Sequence, residues 1–295
     1  MTAPLFPLAA LPEAANLPLD DALPTTQRLP VLRHSAGTGL LAVQDAVIEE
    51  VPVALVFNGV SHAVMLASPA DLADLALGFA LSEGILTAPA QLYDLEVRPS
   101  CDGLSVEMTI ATQRFVALKE RRRNLAGRTG CGLCGVDSLS AVHRIPAGSV
   151  PAALLPAPTP AALDAALRQL RPHQALHQQT GAAHGAAWVS PAGDVLCLRE
   201  DVGRHNALDK LIGALARSGT ALREGFVLVT SRASYEMVQK VACAGGHTLV
   251  AVSAPTALAV RQAEAAGVLL IGFARPGQWS AYTQAERLVL AQPSN

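Results

Sequence analysis

Alternation of apolar and polar positions over short runs marks the first part of the chain, where Leu40–Ile48, Val51–Phe57 and Val60–Leu66 each read as a strand. Asn58-Gly59, between the last two, is a strong signal for a tight hairpin. A helix is expected next. Ser68-Pro69-Ala70-Asp71 offers an N-cap, a proline at the first helical position and an acid at the third, ahead of Leu72, Leu75, Phe79 and a stop near Gly84. Leu92–Val97, Leu104–Ile110 and Phe115–Leu118 are further strand candidates. Residues 1 to about 28 have turn-forming prolines and no sustained period, so a poorly ordered tail is expected there.

Beyond five prolines between Pro146 and Pro160 the rhythm changes. A helix starting at Thr159-Pro160 precedes strands at Ala186–Val189 and Val195–Leu198, which flank the turn Pro191–Asp194. Helix, strand, helix, strand, helix and strand then alternate over 204–217, 226–230, 235–244, 249–252, 256–266 and 268–273. That order predicts a largely parallel sheet covered on both faces. The fold class is therefore α/β, with an N-terminal α+β domain over 29–145, a linker over 146–160 and a C-terminal α/β domain over 161–295.

Composition agrees with a globular chain: 295 residues, 51% hydrophobic, 16% charged and only 4% aromatic, so Ala, Val and Leu must build the core. A net charge of −2 speaks against a general nucleic-acid binder. The N-terminus lacks the basic start and continuous apolar run of a signal peptide, and no later run reaches membrane-spanning length. Five cysteines form no extracellular disulfide framework in a chain of this size, and a cytoplasmic location is expected.

Two of those cysteines carry the sharpest chemical signal. Cys131 and Cys134 lie in Gly-Arg-Thr-Gly-Cys-Gly-Leu-Cys-Gly, residues 127 to 135, downstream of Lys119 and the Arg121–Arg123 run. Such a dithiol supports thiolate-borne sulfur, dithiol–disulfide exchange, or half of a zinc site. His173 and His177 offer a further ligand pair, but they sit beyond the proline-rich stretch and read equally well as surface histidines.

The strand ends of the second half form the other signal. Residues 199–210, Arg-Glu-Asp-Val-Gly-Arg-His-Asn-Ala-Leu-Asp-Lys, pack charge into a strand–turn–helix junction, where α/β sheets take anionic ligands. A charged helix start, with Glu200 or Asp201 capping and Arg204 and Asp209 at the surface, is the purely structural alternative. His184 stands among small residues, Ser231 and Arg232 open the next strand–helix junction, and Ser253-Ala254-Pro255-Thr256 repeats it. Four strand ends on one edge outline a pocket for a large, phosphate-bearing ligand.

Gly-Cys-Gly-Leu-Cys-Gly (130–135), the segment 200–210, Ser-Arg-Ala-Ser-Tyr-Glu-Met-Val-Gln-Lys (231–240) and Ser-Ala-Pro-Thr (253–256) together resemble the FdhD family of formate dehydrogenase accessory sulfurtransferases. The resemblance spans about residues 30 to 290. It implies a cytidine-deaminase-like three-layer αβα domain in the C-terminal half and a homodimer. It further implies that a cysteine desulfurase loads persulfide sulfur onto Cys131 or Cys134. The sulfur would pass to the molybdenum bis(molybdopterin guanine dinucleotide) cofactor, held as a bound substrate, for insertion into formate dehydrogenase. The family's cofactor segment falls on Phe273, Ala274, Arg275, Pro276, Gly277 and Gln278, which join His184, Arg204, His205, Ser231 and Arg232 as cofactor-binding candidates. No zinc deaminase activity is expected, because the His-x-Glu and Pro-Cys-x-x-Cys pattern is absent, and no metal site is expected, since His173 and His177 lie far from the dithiol. A chaperone that holds the cofactor without moving sulfur is the rival reading.

Overall fold

The structure, a computed structural model, describes residues 23–125 and 157–290. Its first element is a hairpin of β1 (Thr26–Ser35) and β2 (Gly39–Ile48), which stand as a two-stranded ribbon. β1 begins inside the stretch expected to be a tail. It escapes the pattern reading because apolar residues fall on both faces of the ribbon and Pro30 interrupts it.

A four-stranded sheet follows, in the order β4–β3–β6–β5, from β3 (Val51–Phe57), β4 (Val60–Ala67), β5 (Leu92–Ser100) and β6 (Gly103–Ile110). β3 and β4 form the expected hairpin, with Asn58 and Gly59 both at positive φ. Helix α1 (Leu72–Ser82) covers this sheet through Leu72, Leu75, Ala76 and Ala80, all buried against Val53, Leu55 and Val106. Phe115–Leu118 is not a strand. It lies in α2 (Thr112–Leu125), which Arg114 anchors by donating to the carbonyls of Gly84 and Ile85. A four-residue apolar run fits either element, and the helix-favouring residues after it decide the matter.

The second half contains α3 (Pro160–His173), α4 (Ala175–Thr180), β7 (His184–Val189), β8 (Val195–Asp201), α5 (Arg204–Ser218), β9 (Phe226–Val229), α6 (Tyr235–Cys243), β10 (Thr248–Ala251), α7 (Ala257–Ala266), β11 (Leu269–Arg275), β12 (Gln278–Ala281) and α8 (Glu286–Leu290). Thr159 caps α3 as expected, its hydroxyl accepting from Ala162 N. The sheet order is β12–β11–β10–β9–β7–β8. It is mixed rather than largely parallel: β9, β10 and β11 are parallel, whereas β7 runs against both β8 and β9, and β12 against β11. Successive strand residues serve opposite faces. Ala186, Trp188, Val227 and Val229 pack under α5, α6 and α7, while Ala187, Val189, Phe226 and Leu228 pack on α3. Three αβα layers result.

The halves meet helix to helix. A Cβ placed on Gly78 of α1 would collide with the carbonyl oxygen of Asp209, and one on Gly213 of α5 with that of Asp74, so the two backbones touch. Charged joints flank this contact. Asp74 receives Arg199 and Arg217 at 2.9 Å each, and Ser82 donates to Asp209 at 2.6 Å. Ser68, read as a helix cap, is instead such a joint: its N–H donates to Asp201 Oδ2, its Oγ accepts from Val202 N, and its carbonyl accepts from Lys210 Nζ. Asp71, in a left-handed conformation, takes the N-cap position of α1 without a side-chain cap bond.

Candidate functional site

Because β8 opposes β7 and β7 opposes β9, β8 runs with β9, β10 and β11. Their carboxyl ends therefore share one edge with the start of β7. His184 is directly opposite Asp201 in the ladder, and Gly185 N donates to Thr230 Oγ1 at 2.9 Å. The loops beyond are laced to one another: Ala233 N donates to Ala254 O, Thr256 N to Ala233 O, and Phe273 N to Ser253 O. His184, Arg204, His205, Ser231, Arg232 and Phe273 thus come together along this edge.

The segment 199–210 does two jobs. Asp201, Asn206, Asp209 and Lys210 are buried and structural. Asp201 pairs with Lys210 at 2.7 Å and also accepts from Gly203 N and Asn206 Nδ2, which donates to the Leu66 carbonyl as well. Asp209 is no surface charge; it accepts from Lys240 at 3.0 Å and from Ser82. Burial disfavours the Lys240 ammonium, yet Asp209 and Glu83 more than offset that and hold its pKa above the ordinary lysine value. Glu200 accepts from Leu176 N and His177 N, closing the start of α4.

Arg204 and His205 are what this segment presents to the edge. His205 Nε2 lies 2.8 Å from Glu236 Oε2, and that contact holds the Glu236 carboxyl below its usual range despite partial burial. His184 is held below the ordinary histidine value first by burial and then by Arg204 and His177. Arg204 Nε and Ser234 Oγ are buried polar atoms with no hydrogen-bond partner among the described residues.

Helix starts at this edge are open. α5 begins at Gly203 and α6 at Ser234, and neither receives a side-chain cap bond; Ser231 Oγ donates to the Arg232 carbonyl instead of capping. Only α7, capped by Thr256 Oγ1, is closed among the three. Uncapped N–H groups beside two arginines suit phosphate oxygens, which would also satisfy the orphaned Arg204 Nε.

The segment 273–278 is spread further than expected. β11 continues past Phe273 to Arg275 across a bulge and turns at Pro276-Gly277 into β12. Ala274 is buried, and Gly277 N donates to Asp164 Oδ1 of α3, so the hairpin tip leans on the far helix layer. Phe273 stays at the edge, exposed and at φ 53°. Asp164 and Glu236 are the contributors that pattern reading did not single out. Glu236 sits within the quoted segment 231–240, whereas nothing local marks Asp164.

Cys131 and Cys134 lie outside the described residues, as do the arginines near them other than Arg114 and the backbone of Arg121–Arg123. His173 and His177 each engage a main-chain carbonyl through Nδ1, Gln169 O and Ala183 O respectively. A cleft of about 440 Å³ opens away from this edge, between Leu81, Leu86, Ile212, Leu222 and Cys243. It is mainly apolar and holds none of the cofactor-binding candidates. The open helix starts and unpaired donors make the strand-end edge the better candidate. No helix among the described residues is long and apolar enough to cross a membrane.

The fold defines an αβα protein joined to a smaller four-stranded module, with Arg204, Arg232, His184 and His205 gathered at one strand-end edge. The model of the FdhD/NarQ family matches residues 48–289, and the chain belongs to that family. It is 53% identical over 277 residues to the sulfur carrier protein FdhD of Cupriavidus necator, covering 94% of this chain and 95% of that one. The protein of the same name from Bordetella petrii is also 53% identical, over 88% of this chain and 93% of its own. A crystal structure of a candidate formate dehydrogenase accessory protein from Desulfotalea psychrophila shares the fold, with a TM-score of 0.70 at 21% identity, over 90% of this chain and all of that one.

Proposed function

We propose that this protein is a sulfur carrier serving formate dehydrogenase, and that it works as a sulfurtransferase with a persulfide intermediate. A cysteine desulfurase is the donor. The thiolate of Cys131 or Cys134 attacks the outer sulfur of the donor's persulfide; the donor S–S bond breaks, its cysteine leaves as a thiolate, and a new S–S bond holds the sulfur on this chain. No external oxidant or reductant is consumed. The molybdenum bis(molybdopterin guanine dinucleotide) cofactor is the acceptor substrate, and the protein acts as a homodimer.

One observation carries the acceptor side: the strand-end edge keeps two helix starts without side-chain caps and a buried Arg204 Nε without a partner. Pyrophosphate oxygens match that donor set. Arg204 and Arg232 would meet the phosphates, His184 and His205 would border them, and Phe273 offers an exposed ring to a base. The names of the 53% identical relatives support the carrier role itself.

Incubation with a cysteine desulfurase and cysteine should raise the mass of the Cys131–Cys134 peptide by one sulfur atom. The Cys131→Ser/Cys134→Ser protein should leave formate dehydrogenase inactive. If neither cysteine gains sulfur and the double variant still yields active formate dehydrogenase, the transfer reading is wrong.

A further inference from the structure

We propose that His177 is a specificity-determining residue of the strand-end edge: its Nε2 accepts a hydrogen bond from a hydroxyl or N–H of the bound anion, so the edge takes a nucleoside diphosphate in preference to bare pyrophosphate. This role rests on the anion site proposed above for the same edge, and it adds a residue on the far side of His184 from Arg204.

Several contacts fix where the ring sits. Glu200, which faces Gly185 in the β7–β8 ladder, accepts from Leu176 N at 2.7 Å and from His177 N at 2.8 Å, so α4 starts against the strand-end edge. Gln174, the buried N-cap residue of α4, lies on the same strand: a Cβ on Gly185 would come within 2.9 Å of its Nε2. The helix ends at Gly181, φ 69°, whose N–H donates to the His177 carbonyl at 2.7 Å, and β7 begins at His184. That short return folds His177 back onto the residue preceding His184, and its Nδ1 lies 3.0 Å from the Ala183 carbonyl oxygen.

A carbonyl oxygen only accepts, so in the neutral ring Nδ1 carries the proton and Nε2 a lone pair. Nε2 has no hydrogen-bond partner among the described residues, and the side chain is half-buried. His184 is the shared neighbour: burial, then Arg204, then His177 lower its pKa, and such coupling is screened beyond about 10 Å. His177 and Arg204 therefore flank one side chain. The arginines and the uncapped N–H groups that start α5 and α6 are donors, which hold phosphate oxygens without telling one diphosphate from another. A lone-pair nitrogen beside them is matched only by a ligand with a donor of its own, a ribose hydroxyl or a base N–H. A site that pairs with such a group rejects analogues lacking it.

Titration calorimetry of the full chain at pH 8 with guanosine diphosphate, its 2′,3′-dideoxy analogue and inorganic pyrophosphate tests this. His177→Asn keeps an amide donor where Nδ1 stands and removes Nε2; it should weaken guanosine diphosphate about tenfold and leave pyrophosphate unchanged. His177→Gln, which places an amide oxygen near the position of Nε2, should restore most of that affinity, whereas Arg204→Gln should weaken both ligands. A dideoxy analogue that binds the wild type about tenfold more weakly assigns the donor to the ribose, and one that binds it like guanosine diphosphate assigns the donor to the base. If His177→Asn leaves guanosine diphosphate binding unchanged, or weakens both ligands equally, the role of His177 is overturned and the anion site stands. A wild type that binds neither ligand overturns the anion site and this role with it. Should His177→Asn fail to fold, NMR of the wild type decides: the His177 ring signals should move with guanosine diphosphate, and signals that ignore it overturn the role.

Discussion

Lys210 Nζ lies 2.7 Å from Asp201 Oδ2, and both side chains are fully removed from solvent. The ammonium also donates to the Ser68 carbonyl, and the carboxylate accepts the Ser68 N–H, so one serine from the first half completes a buried ion pair of the second. Removing one partner strands the other charge in the interior. Lys210→Met should therefore cost about 3–5 kcal/mol, read as a lower urea midpoint at unchanged slope. A midpoint equal to that of the wild type would refute this account of the joint.

Backbone contact between α1 and α5 leaves no room for a methyl group at Gly78 or Gly213. Either Gly→Ala change should cost about 3 kcal/mol, the upper end for overpacking, through forced separation of the helices. Gly37 has no neighbouring atom in reach, and Gly37→Ala should change stability by no more than about 0.5 kcal/mol. Thermal melts of the three variants side by side test the contrast.

Arg204 takes no part in the buried joints, and its Nε has no partner among the described residues. Arg204→Gln should weaken binding of guanosine diphosphate about tenfold, equivalent to about 1.4 kcal/mol, without lowering the melting temperature. Titration calorimetry measures this, and an affinity within twofold of the wild type would move the anion away from α5.

Burial, aided by Arg204 and His177, lowers the pKa of His184. The unfolded chain takes up this proton at the ordinary value of 6.5, and the folded chain only at lower pH. Stability should thus fall as pH drops below 6.5 and level off once the folded pKa is passed. The His184 ring should titrate below 6.5 by NMR, and guanosine diphosphate bound nearby should move that midpoint upward. A midpoint unaffected by the ligand would separate His184 from the anion site.

Glu236 shifts the other way for a carboxylate: its close contact with His205 lowers its pKa from 4.5, against the effect of burial. Its contribution to stability is present above 4.5 and is lost as pH falls through the lower folded value. Glu236→Gln should flatten that acid limb in a pH series of melting temperatures, leaving neutral-pH stability little changed.

Much of the second half was legible because its strands and helices differ in period: Val268–Phe273 reads as a buried strand, Tyr235–Ala244 as an amphipathic helix, and each is found within two residues of its expected bounds. Strand direction was not legible. A hairpin such as β7–β8 inserted beside a crossover unit leaves no mark on hydrophobic periodicity, yet two reversals restore β8 to the common direction, so the strand-end edge was anticipated despite the mixed sheet. Ser68 and Asp209 show the complementary limit. Their partners lie 133 and 127 residues away in sequence, and a polar residue at a helix start looks the same whether it caps, faces water or bridges two modules. His184, Arg204, His205, Ser231 and Arg232 were picked out by their place at strand ends, and the fold brings them together on that edge.

Ser68 sits at the end of β4, while the Val202 amide it holds stands two residues before Arg204. A module that contributes no side chain to the strand-end edge therefore holds the backbone from which α5 starts. The four-stranded module is thus joined by a single hydrogen bond to the backbone that leads straight into the arginine of the opposite half.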